Sequence, residues 1–174
     1  RVFYQNCRHF KGINVNLNKS AVMVLHEKKS DSIILTKRNS NLRHHPGEIC
    51  FPGGRWQIDD NNLYETALRE LQEELGISPE RVSLKQALQM EQTPTGFSIQ
   101  PWLASIDDFL PLNINEEEVS EIIFLPMMRV SEQSNYKKIV VDRKGIKIST
   151  HQFIDDEYFI WGVTARIMMQ LCYL

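Results

Sequence analysis

The sequence is short of cysteine, of long apolar runs and of any large excess of charge. Its three cysteines, Cys7, Cys50 and Cys172, are odd in number, widely separated and without metal-type spacing. A disulfide framework is therefore not expected, and the thiols read as reduced, with the cytoplasm as the default compartment. Apolar stretches such as Ile122 to Met128 fall far short of the roughly 20 residues that a membrane-spanning helix needs, and Pro126 interrupts this one. Arg1 to Lys11 has no uninterrupted apolar region and does not read as a signal peptide; the chain begins at Arg1 rather than Met, which leaves room for residues upstream. A net charge of −2 gives no overall electrostatic reason to expect non-specific binding to nucleic acid or to an anionic membrane. No internal repeat, low-complexity tract or second-domain linker is visible.

What is present is ordinary globular material: 174 residues, 42% hydrophobic and 24% charged, enough for one domain with a substantial core. Ser20 to His26 and Ser32 to Thr36 are valine- and isoleucine-rich runs joined by polar Lys28 to Asp31, which predicts two buried strands in a hairpin. Val82 to Met90 and Ser98 to Ile106 read as strands around a Pro94 and Gly96 turn, and Glu121 to Pro126 as another. Met127 to Gln133 reads as a short helix. Lys137 to Val141 and Ile146 to Thr150 flank a second hairpin turn at Asp142 to Gly145, and Tyr158 to Leu174 has the spacing of a closing helix.

The stretch that asks for chemistry is the glycine turn Phe51-Pro52-Gly53-Gly54 and the helix after it. Asn62 with Glu65 has the form of an N-cap and capping box, and Gly76 followed by Pro79 stops the helix. Between them Tyr64, Ala67, Leu68, Leu71 and Leu75 fill one face and Glu70, Glu73 and Glu74 another. Like charges at that spacing repel, so the acidic face needs a neutralising partner, and a hard divalent cation is the first candidate. Arg69, four residues before Glu73, can pair with it and fix a carboxylate.

The polar segment Lys37 to Cys50 reads as an ordered loop, locally basic through Arg38, Arg43, His44 and His45. It suits either an anionic substrate or plain solvation. The adjacent histidines lack a further ligand at metal-type spacing. Glu116, Glu117, Glu118 and Glu121 form a second acidic group, either a solvated run or a source of one more carboxylate for the metal site.

Arg69-Glu70-Leu71-Gln72-Glu73-Glu74-Leu75-Gly76-Ile77 resembles the second half of the signature of the Nudix hydrolases at every defined position. The first half departs from it: Gly54 lies one residue further upstream than usual, and Asp60-Asn61 stand where an early glutamate falls. Leu35-Thr36-x-Arg38, Arg43, Gly47 and Phe51-Pro52-Gly53-Gly54 resemble the extra motif of the coenzyme A pyrophosphatase subgroup, with Asn39 in place of its small residue. Thr95-Gly96-Phe97 with Pro101 and Ile160 to Thr164 are similar to the same subgroup.

The resemblance implies an α/β fold, an α/β/α sandwich with a mixed β-sheet between helices. It extends over residues 20–174 as a single domain and leaves 1–19 as a lead-in of unassigned role. It implies a pyrophosphohydrolase using Mg2+ or Mn2+, with coenzyme A as leading substrate; with the charge balance and short apolar runs above, neither a membrane nor bulk nucleic acid is expected as partner, and oligomeric state stays open. Glu70 and Glu74 are the expected metal ligands, with Glu73 a ligand or neighbour and Arg69 orienting a glutamate. Gly53 and Gly54 would bring backbone close to metal or phosphate, and Arg38 and Arg43 would bind phosphate. Glu70, Glu73, Glu118 and Glu121 are the candidates for general base. Another nucleoside diphosphate derivative, such as ADP-ribose, a dinucleotide, an oxidised nucleotide or capped RNA, is the alternative within the family. A non-catalytic nucleotide-binding module is the alternative outside catalysis.

Overall fold

A computed structural model describes residues 18–143 and 145–174. Most of the lead-in, Cys7 and Lys144 of the expected hairpin turn lie outside the described residues. Strand β1 (Lys19–Glu27) and strand β2 (Ser32–Arg38) form the expected hairpin, but they pair only beside the turn, His26 opposite Ile33 and Glu27 opposite Ser32. Beyond it the two strands part. The gap is filled by β3 (Ile49–Cys50), which pairs with β2, and β4 (Gly53–Arg55), which pairs with β1; the Met23 N–H donates to the Pro52 carbonyl at 2.8 Å. The stretch expected to be a glycine turn is thus a wedge of two short strands. The glycines are needed because the wedge lies close to its neighbours: a Cβ on Gly53 would strike the Ala21 carbonyl and lie 2.7 Å from Val22 Cα.

Helix α1 (Leu63–Leu75) follows. Asn62 Oδ1 accepts from the N–H groups of Tyr64 and Glu65, and Gly76 ends the helix at φ 68°. The return half of the capping box is shifted by one residue, since the Glu65 carboxylate accepts from the Asn61 backbone and side-chain amides. Strands β5 (Ser83–Ala87) and β6 (Glu91–Gln92) run along β7 (Ser98–Ile106), which is parallel to β1 over its whole length. Strand β8 (Val119–Pro126) is antiparallel to β2, completing an eight-stranded mixed sheet. After α2 (Met127–Val130), β9 (Tyr136–Arg143), β10 (Ile146–Phe153) and β11 (Ile160–Trp161) make a second, three-stranded sheet that leads into α3 (Gly162–Gln170).

The sheet lies between α1 and α3, as expected. Alternation along the strands sorts the side chains: Ala21, Met23, Leu25 and Ile34 pack with Ala67, Leu71 and Leu75 of α1, whereas Val24, Ile33 and Leu35 pack with Ile167 and Met168 of α3. Fully buried Leu71 and Leu75 each stabilise the α1 layer by roughly 1.5–3 kcal/mol. The closing helix is shorter than its periodicity predicts. Ile160 pairs with Phe153 in a strand, and Gly162 takes a left-handed φ of 68°, so regular helix begins only there. Among the described residues, no helix is long and apolar enough to cross a membrane.

Candidate active site

The caps and apolar stripe of α1 fix the rotation of the helix, and with it the direction of its acids. Glu74 points inward and is 3% exposed. Burial, then the negative charge of Glu70 nearby, push its carboxyl up to about 8, against the opposing pull of Arg38 and of the Gly53 N–H that hydrogen-bonds it. Its Oε2 is buried without a hydrogen-bond partner. Glu70, one turn earlier, is also raised by burial in spite of its bond from Arg69. Its carboxyl group occupies the space where a Cβ on Gly54 would stand. The wedge between β1 and β2 therefore closes over two carboxyl groups with backbone alone.

Arg69 is the hub that holds Glu70. Its guanidinium donates to Glu70 at 2.8 Å, to Glu73 at 3.1 Å and to the Arg55 carbonyl at 3.0 Å. It also grips Asp60 in a bidentate pair at 3.0 and 3.1 Å. Asp60 is 7% exposed. Burial opposes its charge, yet the bonds from Arg69, the Gln57 N–H and Thr66 outweigh that and hold its carboxyl below the ordinary value. The Trp56 indole N–H closes the same loop on the Asp60 carbonyl at 3.0 Å. Asp60 is thus the anchor of the arginine. The sequence hinted at it only through an acid standing near the place of an early glutamate.

The other expected site residues divide. Arg38 sits at the end of β2 with its charge felt at Glu74, and its Nε donates to the His44 carbonyl at 3.4 Å. Arg43 is exposed in the loop. Glu73 has a half-exposed side chain turned to Arg69. Glu118 is half-buried, bears electrostatically on both Glu70 and Glu74, and accepts from the Asn115 amide at 3.1 Å. Glu121 lies opposite Lys37 in the β2–β8 pairing; its carboxylate takes the Tyr158 hydroxyl at 2.8 Å and Lys37 at 3.4 Å. By strand alternation it shares the face of Ile123 and Leu125, the α3 side, whereas Glu70 and Glu74 are on the α1 side. Cys50, within the wedge, is no nucleophile, because burial pushes its thiol up to about 11. A cleft of about 580 Å³ beside α3 contains none of the expected residues, and its arginine, Arg166, is paired with Glu91 at 2.8 Å.

The Glu70–Glu74 pair fits a divalent cation. A buried carboxyl oxygen without a donor, a neighbouring carboxyl group and glycine backbone overhead offer hard oxygen ligands. Among the described residues no three His, Cys, Asp or Glu side chains form a ready-made metal cage. That is compatible with magnesium, which keeps several waters and is commonly held by one or two carboxylates together with substrate phosphates.

The NUDIX domain profile matches residues 17–144. A protein of Enterobacter sp. (strain 638) named uncharacterized Nudix hydrolase NudL is 34% identical over 162 residues, covering 90% of this chain and 82% of its own. Among solved structures, a C. elegans Ap4A hydrolase binary complex aligns with a TM-score of 0.54 at 17% identity, over 63% of this chain and 80% of the other. The NUDIX domain of Shewanella oneidensis NrtR complexed with ADP ribose aligns with a TM-score of 0.51 at 20% identity, over 72% and 80%. At such identities these two structures speak for a shared fold.

Proposed function

The chain belongs to the Nudix hydrolase family, and from that premise we propose that it is a metal-dependent pyrophosphohydrolase whose leading substrate is coenzyme A or an acyl derivative. The products would be adenosine 3',5'-bisphosphate and 4'-phosphopantetheine, or its acylated form, released as water adds to one phosphorus and the P–O–P bridge breaks. The observation that carries the reading is the buried, donor-less Oε2 of Glu74 beside Glu70 under the Gly53–Gly54 backbone.

In this reading Glu70 and Glu74 hold Mg2+ or Mn2+. Bound there, the cation would neutralise phosphate oxygens and make water more acidic. Arg69, itself fixed by Asp60, keeps the Glu70 carboxylate in place, and the Gly53 N–H does the same for Glu74. Arg38, whose charge is felt at Glu74, stands near the region where phosphate oxygens would gather. Glu118 is assigned as proton acceptor: Glu70 and Glu73 are bonded to Arg69 and Glu121 to Lys37 and Tyr158, while Glu118 receives the neutral Asn115 amide and faces the pair. Replacing Glu118 with Gln should lower kcat by about 10²–10⁴-fold.

Coenzyme A is favoured by the pattern Arg38, Arg43, Gly47 and Phe51 to Gly54, which resembles the coenzyme A pyrophosphatase motif. A panel of coenzyme A, an acyl-coenzyme A, ADP-ribose, Ap4A, an oxidised nucleotide and capped RNA, each with Mg2+ and Mn2+, tests the choice. The expected result is the highest kcat/KM for a coenzyme A compound. A tenfold preference for another member would move the substrate within the family, and binding without product in either metal would make the chain a binding module.

A further inference from the structure

We infer that the cleft walled by Phe159 and Trp161, on the face of the sheet away from Glu74, is a subsite for a planar nitrogen heterocycle, the nucleobase of the substrate. This rests on the nucleotide reading above. The cleft has a volume of about 250 Å³ and is lined in part by Lys37, Gly47, Ile49, Tyr158, Phe159 and Trp161. The Phe159 and Trp161 rings stack with centroids 5.9 Å apart and planes at 24°. A single exposed aromatic residue is ordinary. Phe159, however, is 53% exposed while braced against a second ring in a concave wall, so an arriving ring would meet a surface already held in place.

Charge separates a base from a phosphate here. Lys37 is drawn to Glu121, Tyr158 gives its hydroxyl to the same carboxylate, and Glu48 and Glu157 also line the cleft. Carboxylates outnumber the ammonium, which disfavours an anion and favours a neutral ring carrying N–H donors. Size points the same way. Sites that enclose a drug-sized ligand run about 300–1,000 Å³, so this cleft takes one ring system rather than an entire coenzyme.

The cleft is also connected to the carboxylate pair. Lys37 and Arg38 are consecutive at the end of β2, where the pairing with β8 shifts register; Lys37 lines the cleft and Arg38 bears on Glu74. Ile49 in the cleft wall is separated from Gly53, whose N–H holds Glu74, by at most about 14 Å of chain. A pyrophosphate at Glu70 and Glu74 would in this arrangement send its base toward the cleft that Ile49 and Phe159 line.

Calorimetric titration of the metal-free protein with adenosine 3',5'-bisphosphate, and separately with 4'-phosphopantetheine, tests the subsite without turnover. Phe159→Ala should weaken the nucleotide by about tenfold or more, in line with the loss of one base–aromatic stack. It should leave phosphopantetheine unchanged, and Phe159→Trp should restore the nucleotide. Equal nucleotide affinity in wild type and Phe159→Ala, or an equal loss for both ligands, would overturn the subsite. Phe159-dependent nucleotide binding by a protein that hydrolyses no coenzyme A would keep the subsite and overturn the activity. Coenzyme A hydrolysis with no Phe159 dependence of nucleotide binding would do the reverse.

Discussion

Glu74 gives a stability signature that requires no substrate. In the metal-free fold its carboxyl is pushed up to about 8 from an ordinary 4.5, by burial first and by Glu70 second. Between those values the folded chain holds a proton that the unfolded chain has released. Stability from this group is therefore complete below about pH 4.5 and is lost as pH rises through 8. The shift corresponds to at most about 5 kcal/mol, and half of that would still move the melting temperature by about 5–10 °C in a protein of this length. Glu74→Gln supplies a permanently neutral side chain of the same shape that can still accept the Gly53 N–H. Any cost of placing its amide at the site of Oε2 is independent of pH, so the quantity to read is the difference in Tm between variant and wild type. In EDTA that difference should grow in favour of Glu74→Gln from pH 5 to pH 9. Magnesium at pH 8 should raise the wild-type Tm and leave the variant unmoved, because a ligand that binds only the folded state stabilises it. A Tm difference that stays flat across this range would refute the burial argument.

Three other substitutions probe the frame around the pair. Gly54→Ala places a methyl group on the Glu70 carboxyl, whose flexible stem can yield, so circular dichroism should report an intact fold while activity falls about 100-fold from the displaced ligand. Asp60→Asn removes the charge that grips Arg69; Glu70 and Glu73 still face the arginine, so the loss should lie at the lower end of about 3–5 kcal/mol by urea unfolding, with activity down about 10–100-fold. Asn62→Ala removes the α1 cap and should cost about 1 kcal/mol, or about 2–4 °C in a thermal scan, with kcat nearly unchanged.

Much of the frame was legible in the residues because it is written in local periodicity. Asn62, the apolar stripe and Gly76 set the bounds of α1 to the residue, but the three acids read as one face divide: Glu74 turns inward under the wedge and Glu73 outward beside Arg69. Alternation along β1 and β2 likewise encoded the two faces of the sheet. The wedge was not legible as strands, since Ile49–Cys50 and Gly53–Arg55 are too short to carry a pattern and exist only because β1 and β2 part. The hold of Asp60 on Arg69 depends on the fold of the Gln57 to Asp60 loop, a through-space contact that spacing along the helix does not encode. The side taken by Glu121 was readable: it has the parity of Ile123 and Leu125, and counting along β8 places it away from the acids of α1. The run Tyr158 to Trp161 has helical spacing, but Ile160 gains more as a partner of Phe153 at the sheet edge.

The most direct test of the carboxylate pair is phosphorus NMR of coenzyme A incubated with saturating magnesium and either wild type or Glu74→Gln, both verified as folded. Wild type should convert the pyrophosphate signals to those of two phosphomonoesters, and the variant should be about 10²–10³-fold slower, as expected when a group needed for transition-state charge stabilisation is removed. A folded Glu74→Gln protein that hydrolyses coenzyme A at near the wild-type rate would contradict the assignment of Glu74 to the metal.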